Sequence, residues 1–136
     1  GLAVIMLDLD HFKQINDRLG HAHGDMVLMR FADIVRDELR HSDTVARLGG
    51  EEFCAILPGR DREGASQVAE RIRRGFADMA LPIGSETETA TVSAGIATAG
   101  QGETFSSVLS RADAALYKAK QAGRNQVHIA PFRLVA

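Results

Sequence analysis

Residues 2–7 read LAVIML, an apolar run that stops at Asp8. A run this short and this continuous suits a strand buried on both faces. Such a strand belongs in a sheet with packed layers on either side, which points to an α/β architecture. The run has no basic flank and Asp8 interrupts it early, so it reads as neither a signal peptide nor a membrane span.

The rest of the chain alternates in period. Polar residues fill positions 8–25. Val27, Leu28, Phe31, Ile34, Val35 and Leu39 then recur at helical spacing. Residues 44–48 read as a strand, Gly49-Gly50 as a two-residue turn, and 52–57 as the partner strand, which Pro58-Gly59 stops. Ala65, Val68, Ala69, Ile72, Phe76 and Met79 mark a second helix. Residues 80–88 read as loop. Residues 89–97 are strand-like, with Gly95 as a weak point, and 98–104 are loop again. Phe105, Val108, Leu109, Ala112, Leu116 and Ala119 mark a third helix that Gly123 ends, and 126–129 form a short last strand. The order β-α-β-β-α-β-α-β predicts an α/β (α+β) fold: a central mixed sheet flanked by helices, with an inserted β-hairpin carrying GGEEF.

At 136 residues the chain is expected to form a single domain, 1–136, with a substantial core. Its formal net charge of −2 gives no chain-wide field for a nucleic acid polymer, so any phosphate site must be local. Cys54 is the one cysteine, which excludes an internal disulfide and a multi-cysteine metal site and suits a reducing compartment. Its position inside an apolar run makes it a small core hydrophobe.

Charged groups at strand ends carry the chemistry. Asp8 and Asp10 follow the first strand, and ligands of open α/β sheets gather at the carboxyl ends of strands. Asp10 reads as a solvated helix cap. Glu51 and Glu52 sit beside the Gly-Gly turn, where charge entering an apolar strand needs a partner. If that turn lies beside the first strand's end, Asp8 and Glu51 form a hard-oxygen site. Mg²⁺ suits such a site, since it takes one or two carboxylates and leaves positions for phosphates and water. Asn16 and Asp25 offer donors and acceptors that could read a purine, guanine in particular, or could simply make a polar loop. Lys13, Lys120 and Arg124 could supply cations to a triphosphate, and basic residues at a helix C-terminus also suit the helix dipole. His11, His21, His23 and His41 match no familiar zinc spacing, and His128 reads as structural.

Taken in order, DLDHFKQINDRLGHAHGD, VARLGGEEF, TVSAGIA and RADAALYKAKQAGRNQV resemble the GGDEF family of diguanylate cyclases over nearly the whole chain. The resemblance implies a palm-like nucleotidyl cyclase fold and condensation of two GTP into cyclic di-GMP with release of two pyrophosphates. It implies that Asp8, the Leu9 carbonyl and Glu51 hold Mg²⁺ or Mn²⁺, two per GTP half-site. Glu51 would be the base for the ribose 3′-hydroxyl, supported by Glu52. Asn16 and Asp25 would read guanine. Lys13, Lys120, Arg124 and the backbone at His11 and Phe12 would bind phosphate, with Lys13 stabilising transition-state charge. Gly49 and Gly50 would let the backbone approach the nucleotide. Because each domain holds one GTP, two chains must face each other as a homodimer.

Arg40 and Asp43 match the family's Arg-x-x-Asp inhibitory product site, and Arg71 matches a secondary contact, implying feedback by cyclic di-GMP. The family's usual N-terminal helix, with its Asp-x-Leu-Thr-x-Leu-x-Asn-Arg-Arg motif, does not precede the first strand here. The expected setting is the cytoplasm, either alone or as the cytoplasmic domain of a larger, possibly membrane-bound, signalling protein. No direct membrane contact by this domain is expected. Two rivals remain: a non-catalytic domain that binds GTP or cyclic di-GMP as a receptor, and a cyclase making a monomeric cyclic nucleotide. Intact Asp8, Lys13, Glu51 and Glu52 weigh against the first, and the Asn16–Asp25 and Arg40–Asp43 pairs weigh against the second.

Overall fold

The computed structural model describes residues 1–83 and 86–132, and within 82–88 the backbone only. The elements run β1 (Leu2–Leu9), α1 (Phe12–Leu19), α2 (His21–Glu38), β2 (Thr44–Gly49), β3 (Glu52–Pro58), α3 (Arg62–Ala77), β4 (Leu81–Ile83), β5 (Glu86–Glu88), β6 (Val92–Thr98), α4 (Phe105–Gln121) and β7 (Val127–Ile129). The main sheet has the order β2-β3-β1-β6-β7. β1 is central and pairs antiparallel with β3 and β6, while β7 joins β6 in parallel. The sheet is mixed, as the sequence pattern predicts.

Alternation along β1 assigns its side chains to two cores. Ala3, Ile5, Leu7 and Leu9 pack with α1, α2 and α3. Val4 and Met6 pack with α4 residues Val108, Ala112, Ala115 and Leu116. On the first face Phe31 of α2 meets Phe53 of β3 and Phe76 of α3 edge-on, with ring centroids 5.1 and 4.9 Å away. That geometry suits aromatic quadrupoles and ties three elements together. Cys54 lies in the second core, where burial pushes its thiol up to about 11, so it packs as an inert hydrophobe.

Three expectations need correction. One helix is expected between β1 and the hairpin, but there are two: α1 over Phe12–Leu19, and α2 starting at His21. Gly20, at φ 90, separates them. The expected loop over 80–88 contains the paired strands β4 and β5, with residues 84–85 outside the described set. Gly95 is a contact point, not a weak one. A Cβ there would lie 2.2 Å from Ala112 O and 2.2 Å from Leu116 N, because α4 rests its backbone directly on the sheet. Gly95→Ala must lift α4 off β6 and should cost about 3 kcal/mol or more, read as a lower urea midpoint. An unchanged midpoint would show that α4 is free to shift.

A buried ion pair anchors the start of α4. Glu103 has no exposed side-chain surface and accepts from Arg111 Nε and Nη2, both at 2.9 Å, from Ser107 Oγ at 2.7 Å and from Gly100 N at 2.9 Å. Arg111 also donates to Thr98 O and Pro131 O. Chiefly through the Arg111 hydrogen bonds, which outweigh burial, the carboxyl is held down to about 2 from an ordinary 4.5. Its stabilisation is therefore present above pH 4.5 and lost as pH falls through about 2. Glu103→Gln should melt below the wild type at neutral pH, and that gap should narrow on acidification across this window.

Candidate active site

The site assembles where β1 ends. The β2–β3 turn lies beside it: Leu9 N donates to Glu51 O at 3.3 Å, and Asp8 stands opposite Glu52 in the ladder. The turn differs in detail from the predicted one. Gly49 closes β2 and pairs with Glu52, so Gly50 and Glu51 are the loop residues. Glu51 is thus a turn residue outside the apolar strand, which lowers the desolvation that strand entry would impose. Gly50 takes φ 49, a conformation that glycine adopts at little cost, and its carbonyl accepts from Arg47 Nε at 2.8 Å.

One small cavity, about 170 Å³, gathers half of the predicted residues. Asp8, Leu9, Glu51, His11, Phe12, Lys13, Lys120 and Arg124 line it, with Asp10 and Gln14. His11 adopts φ 57, turning the backbone from β1 into α1 at the cavity's rim. Lys120 reaches from the last turn of α4 and donates to Asp8 Oδ2 at 2.6 Å. Burial is the main influence on Asp8 and raises its pKa; Lys120 works against this, and Glu51 and Glu52 add to it. Burial therefore disfavours the Asp8 carboxylate even with Lys120 in place. Among the described residues no three His, Cys, Asp or Glu side chains form a metal cage. Two carboxylates plus backbone carbonyls fit a cation that takes its remaining ligands from phosphate and water.

Other predicted residues lie apart. Asn16 is on α1 and Asp25 on α2. Asp25 lines a larger cavity of about 520 Å³ between α2 and the hairpin, with Leu28, Met29, Val45, Arg47 and Phe53. Asn16 Oδ1 is buried without a hydrogen-bond partner and presses on Gly24, where a Cβ would come within 1.7 Å. Only glycine at position 24 leaves room for that amide.

Arg40 and Asp43 form a tight pair before β2. Arg40 Nη2 donates to Asp43 Oδ1 at 3.1 Å and to Pro58 O at 2.7 Å, and Arg40 N donates to Asp43 Oδ2 at 2.8 Å. Burial would raise the Asp43 carboxyl, yet the Arg40 hydrogen bonds hold it below the usual range. Arg71 is held by Glu38, at 2.7 Å.

Asp10 was misread as a solvated cap. It is 4% exposed, α1 takes no side-chain cap, and the carboxylate bonds inward to Thr91, Ser93 and Asn125. The sequence signal for this was weak: a charged residue two past Asp8 has the same alternation as a wet strand end.

A central antiparallel β1 ends in acids, and cations converge on that end from α1 and α4, in an α+β domain. A family model described as "Diguanylate cyclase, GGDEF domain" matches residues 1–126, and the chain belongs to this family. It is similar to Diguanylate cyclase DgcP of Pseudomonas aeruginosa, 43% identical over 129 residues, or 95% of this chain and 19% of the relative. The chain thus spans about a fifth of that protein's length. Among solved structures, the GGDEF domain of DgcB from Caulobacter crescentus in complex with c-di-GMP superposes with a TM-score of 0.91. It is 38% identical, over 94% of this chain and 77% of that one. The active GGEEF domain of a diguanylate cyclase from Vibrio cholerae gives 0.89 at 35% identity, over 97% and 84%.

Asp8 and Glu51, two carboxylates on one cavity, give a direct test of metal binding. Millimolar Mg²⁺ or Mn²⁺ at neutral pH should raise the melting temperature by a few degrees through preferential binding to the folded chain. Asp8→Asn should abolish that response. A variant that responds like the wild type would place the cation elsewhere.

Proposed function

We propose that this domain is a diguanylate cyclase. Two GTP molecules would condense to cyclic di-GMP and two pyrophosphates, each chain of a facing homodimer holding one GTP. The observation that carries the reading is the single cavity in which Asp8 and Glu51 face Lys13, Lys120 and Arg124. Two carboxylates and three cations around one space suit phosphoryl transfer. Family membership supports it, as does the likeness to a GGEEF domain described as active.

The chemistry follows from the charges. Asp8, Glu51 and the Leu9 carbonyl would hold the divalent cation. Bound there, it supplies charge neutralisation on phosphate oxygens and lowers the pKa of the 3′-hydroxyl. Glu51 takes the 3′-hydroxyl proton as that oxygen attacks the α-phosphorus of the opposing GTP, with Glu52 supporting the site. The bond from the α-phosphorus to the bridging oxygen breaks, and pyrophosphate leaves. Lys13, Lys120 and Arg124 hold the charge that develops on the phosphates, aided by the amides at His11 and Phe12. Lys120, which bonds Asp8, would turn to the phosphate of bound substrate. Asn16 and Asp25 would read guanine, Asp25 accepting from N1–H and the 2-amino group. Gly49 and Gly50 leave the hairpin tip open to the nucleotide. Arg40 and Asp43, with Arg71 nearby in role, would bind the product and damp the reaction.

Concentrated wild-type chain incubated with GTP and Mg²⁺ should yield cyclic di-GMP on chromatography, at a rate per chain that rises with concentration. Glu51→Ala should lower the yield by about a hundredfold or more, the usual scale for a lost acid–base group. GTP binding without product in the wild type would favour the receptor reading, and equal turnover in Glu51→Ala would remove the base assignment.

A further inference from the structure

Directly after α4 the backbone takes an unusual course. Gly123, Arg124 and Asn125 have φ of 122, 64 and 48. Arg124 and Asn125 are consecutive non-glycine residues in the left-handed region, which L side chains adopt rarely and only when their surroundings impose it. Arg124 is the cation that this turn delivers to the cavity, whereas Lys120 still rides on the helix. Arg124 N donates back to Ala119 O at 3.0 Å, which ties the turn to α4 at one end and leaves Asn125 to be held from outside.

The Asp10 carboxylate is that anchor. Its Oδ2 accepts from Asn125 N at 3.0 Å and from Thr91 Oγ1 at 2.7 Å, and its Oδ1 accepts from Ser93 Oγ at 2.6 Å. The Asp10 N–H donates to Thr91 O at 2.8 Å. Protein donors engage both oxygens, so Asp10 lines the cavity as an anchored group. From the other side Asn125 Oδ1 accepts from Arg73 Nη1 at 2.9 Å. Arg73 is itself fixed by Glu70, through Nη2 at 2.5 Å and Nε at 3.0 Å. The strained turn is thus gripped at its backbone by β1's end and at its side chain by α3.

We propose that Asp10, acting through Asn125, is a positioning residue for Arg124 and so for the polyphosphate chain of the substrate. This rests on the reading of the cavity as a triphosphate site. The same carboxylate joins the strand end that carries Asp8 and Leu9 to the turn that carries Arg124. One group therefore ties the strand end of the acidic wall to the turn that carries Arg124. Asp10 touches no substrate itself; it restricts Arg124 to one placement before substrate arrives, which cuts the ordering cost of binding.

The test compares affinities by calorimetry, in the presence of Mg²⁺, for GTP, inorganic tripolyphosphate and guanosine. The variants are Asp10→Asn and Asn125→Gly. The second tolerates positive φ and keeps the amide donor while losing the Arg73 contact. Both should lose about tenfold in affinity for GTP and tripolyphosphate, the worth of roughly one charge-assisted hydrogen bond, and none for guanosine. In an Arg124→Ala background, Asp10→Asn should cost little further, because the two act as one unit. Folded variants with undiminished phosphate affinity would overturn the proposal, as would equal loss for guanosine or full additivity with Arg124→Ala. A wild type that binds neither GTP nor tripolyphosphate would overturn it too. A wild type that binds tripolyphosphate but not GTP, with the variants' loss intact, would support the positioning role while removing the guanine-nucleotide reading.

Discussion

Everything in this domain is referred to β1. It is paired on both edges and covered on both faces, so neither its register nor its direction can slip without moving an entire core. A one-residue slip would exchange Ile5 and Leu7 with Val4 and Met6, and so exchange the α2–α3 core with the α4 core. That rigidity is delivered to the strand's last residues. Asp8, Leu9 and Asp10 inherit their positions from a segment that cannot adjust, which is what a site built on charge separation needs.

Around that fixed end the charges come from three directions. Glu51 arrives on the hairpin tip, Lys13 on the first turn of α1, and Lys120 with Arg124 from the end of α4. Each delivery has its own backbone device: left-handed Gly50, left-handed His11 and the left-handed pair Arg124–Asn125. At the non-glycine residues His11, Arg124 and Asn125, backbone strain of this kind persists where surrounding structure over-determines it, and it clusters at functional sites. The Lys120–Asp8 bond shows the balance: a lysine from α4 partly neutralises the buried acid, and burial still keeps the Asp8 carboxyl raised.

The sequence made the main sheet legible because its strands carry strong signals. LAVIML could only be a doubly buried strand, and Gly49-Gly50 between apolar runs could only be a hairpin. The acids beside both motifs then marked the site. What escaped reading did so for physical reasons. The helix over Phe12–Leu19 buries only Phe12 and Ile15, too few apolar positions to register as a period. The hairpin β4–β5 is two three-residue strands, shorter than alternation can reveal. Gly95 looked like a defect because sequence does not show which backbone lies above a strand. Asp10 looked solvated because its partners, Thr91, Ser93 and Asn125, are more than eighty residues away along the chain.

The hairpin β2–β3 joins two regions that the sequence analysis treated separately. At its tip Glu51 meets the end of β1; at its base Arg40 bonds Asp43 before β2 and the Pro58 carbonyl that ends β3. Arg40 therefore closes the hairpin's open end as well as pairing with its neighbouring acid. Asp43, with no exposed side-chain surface and Arg60 at 3.9 Å, is a fixed point for this closure. Arg40 itself keeps close to half its side chain exposed. A ligand that meets Arg40 on its open side adds to an arginine already oriented by Asp43, whereas one that takes the Asp43-facing edge must first release the base of the hairpin that carries Glu51.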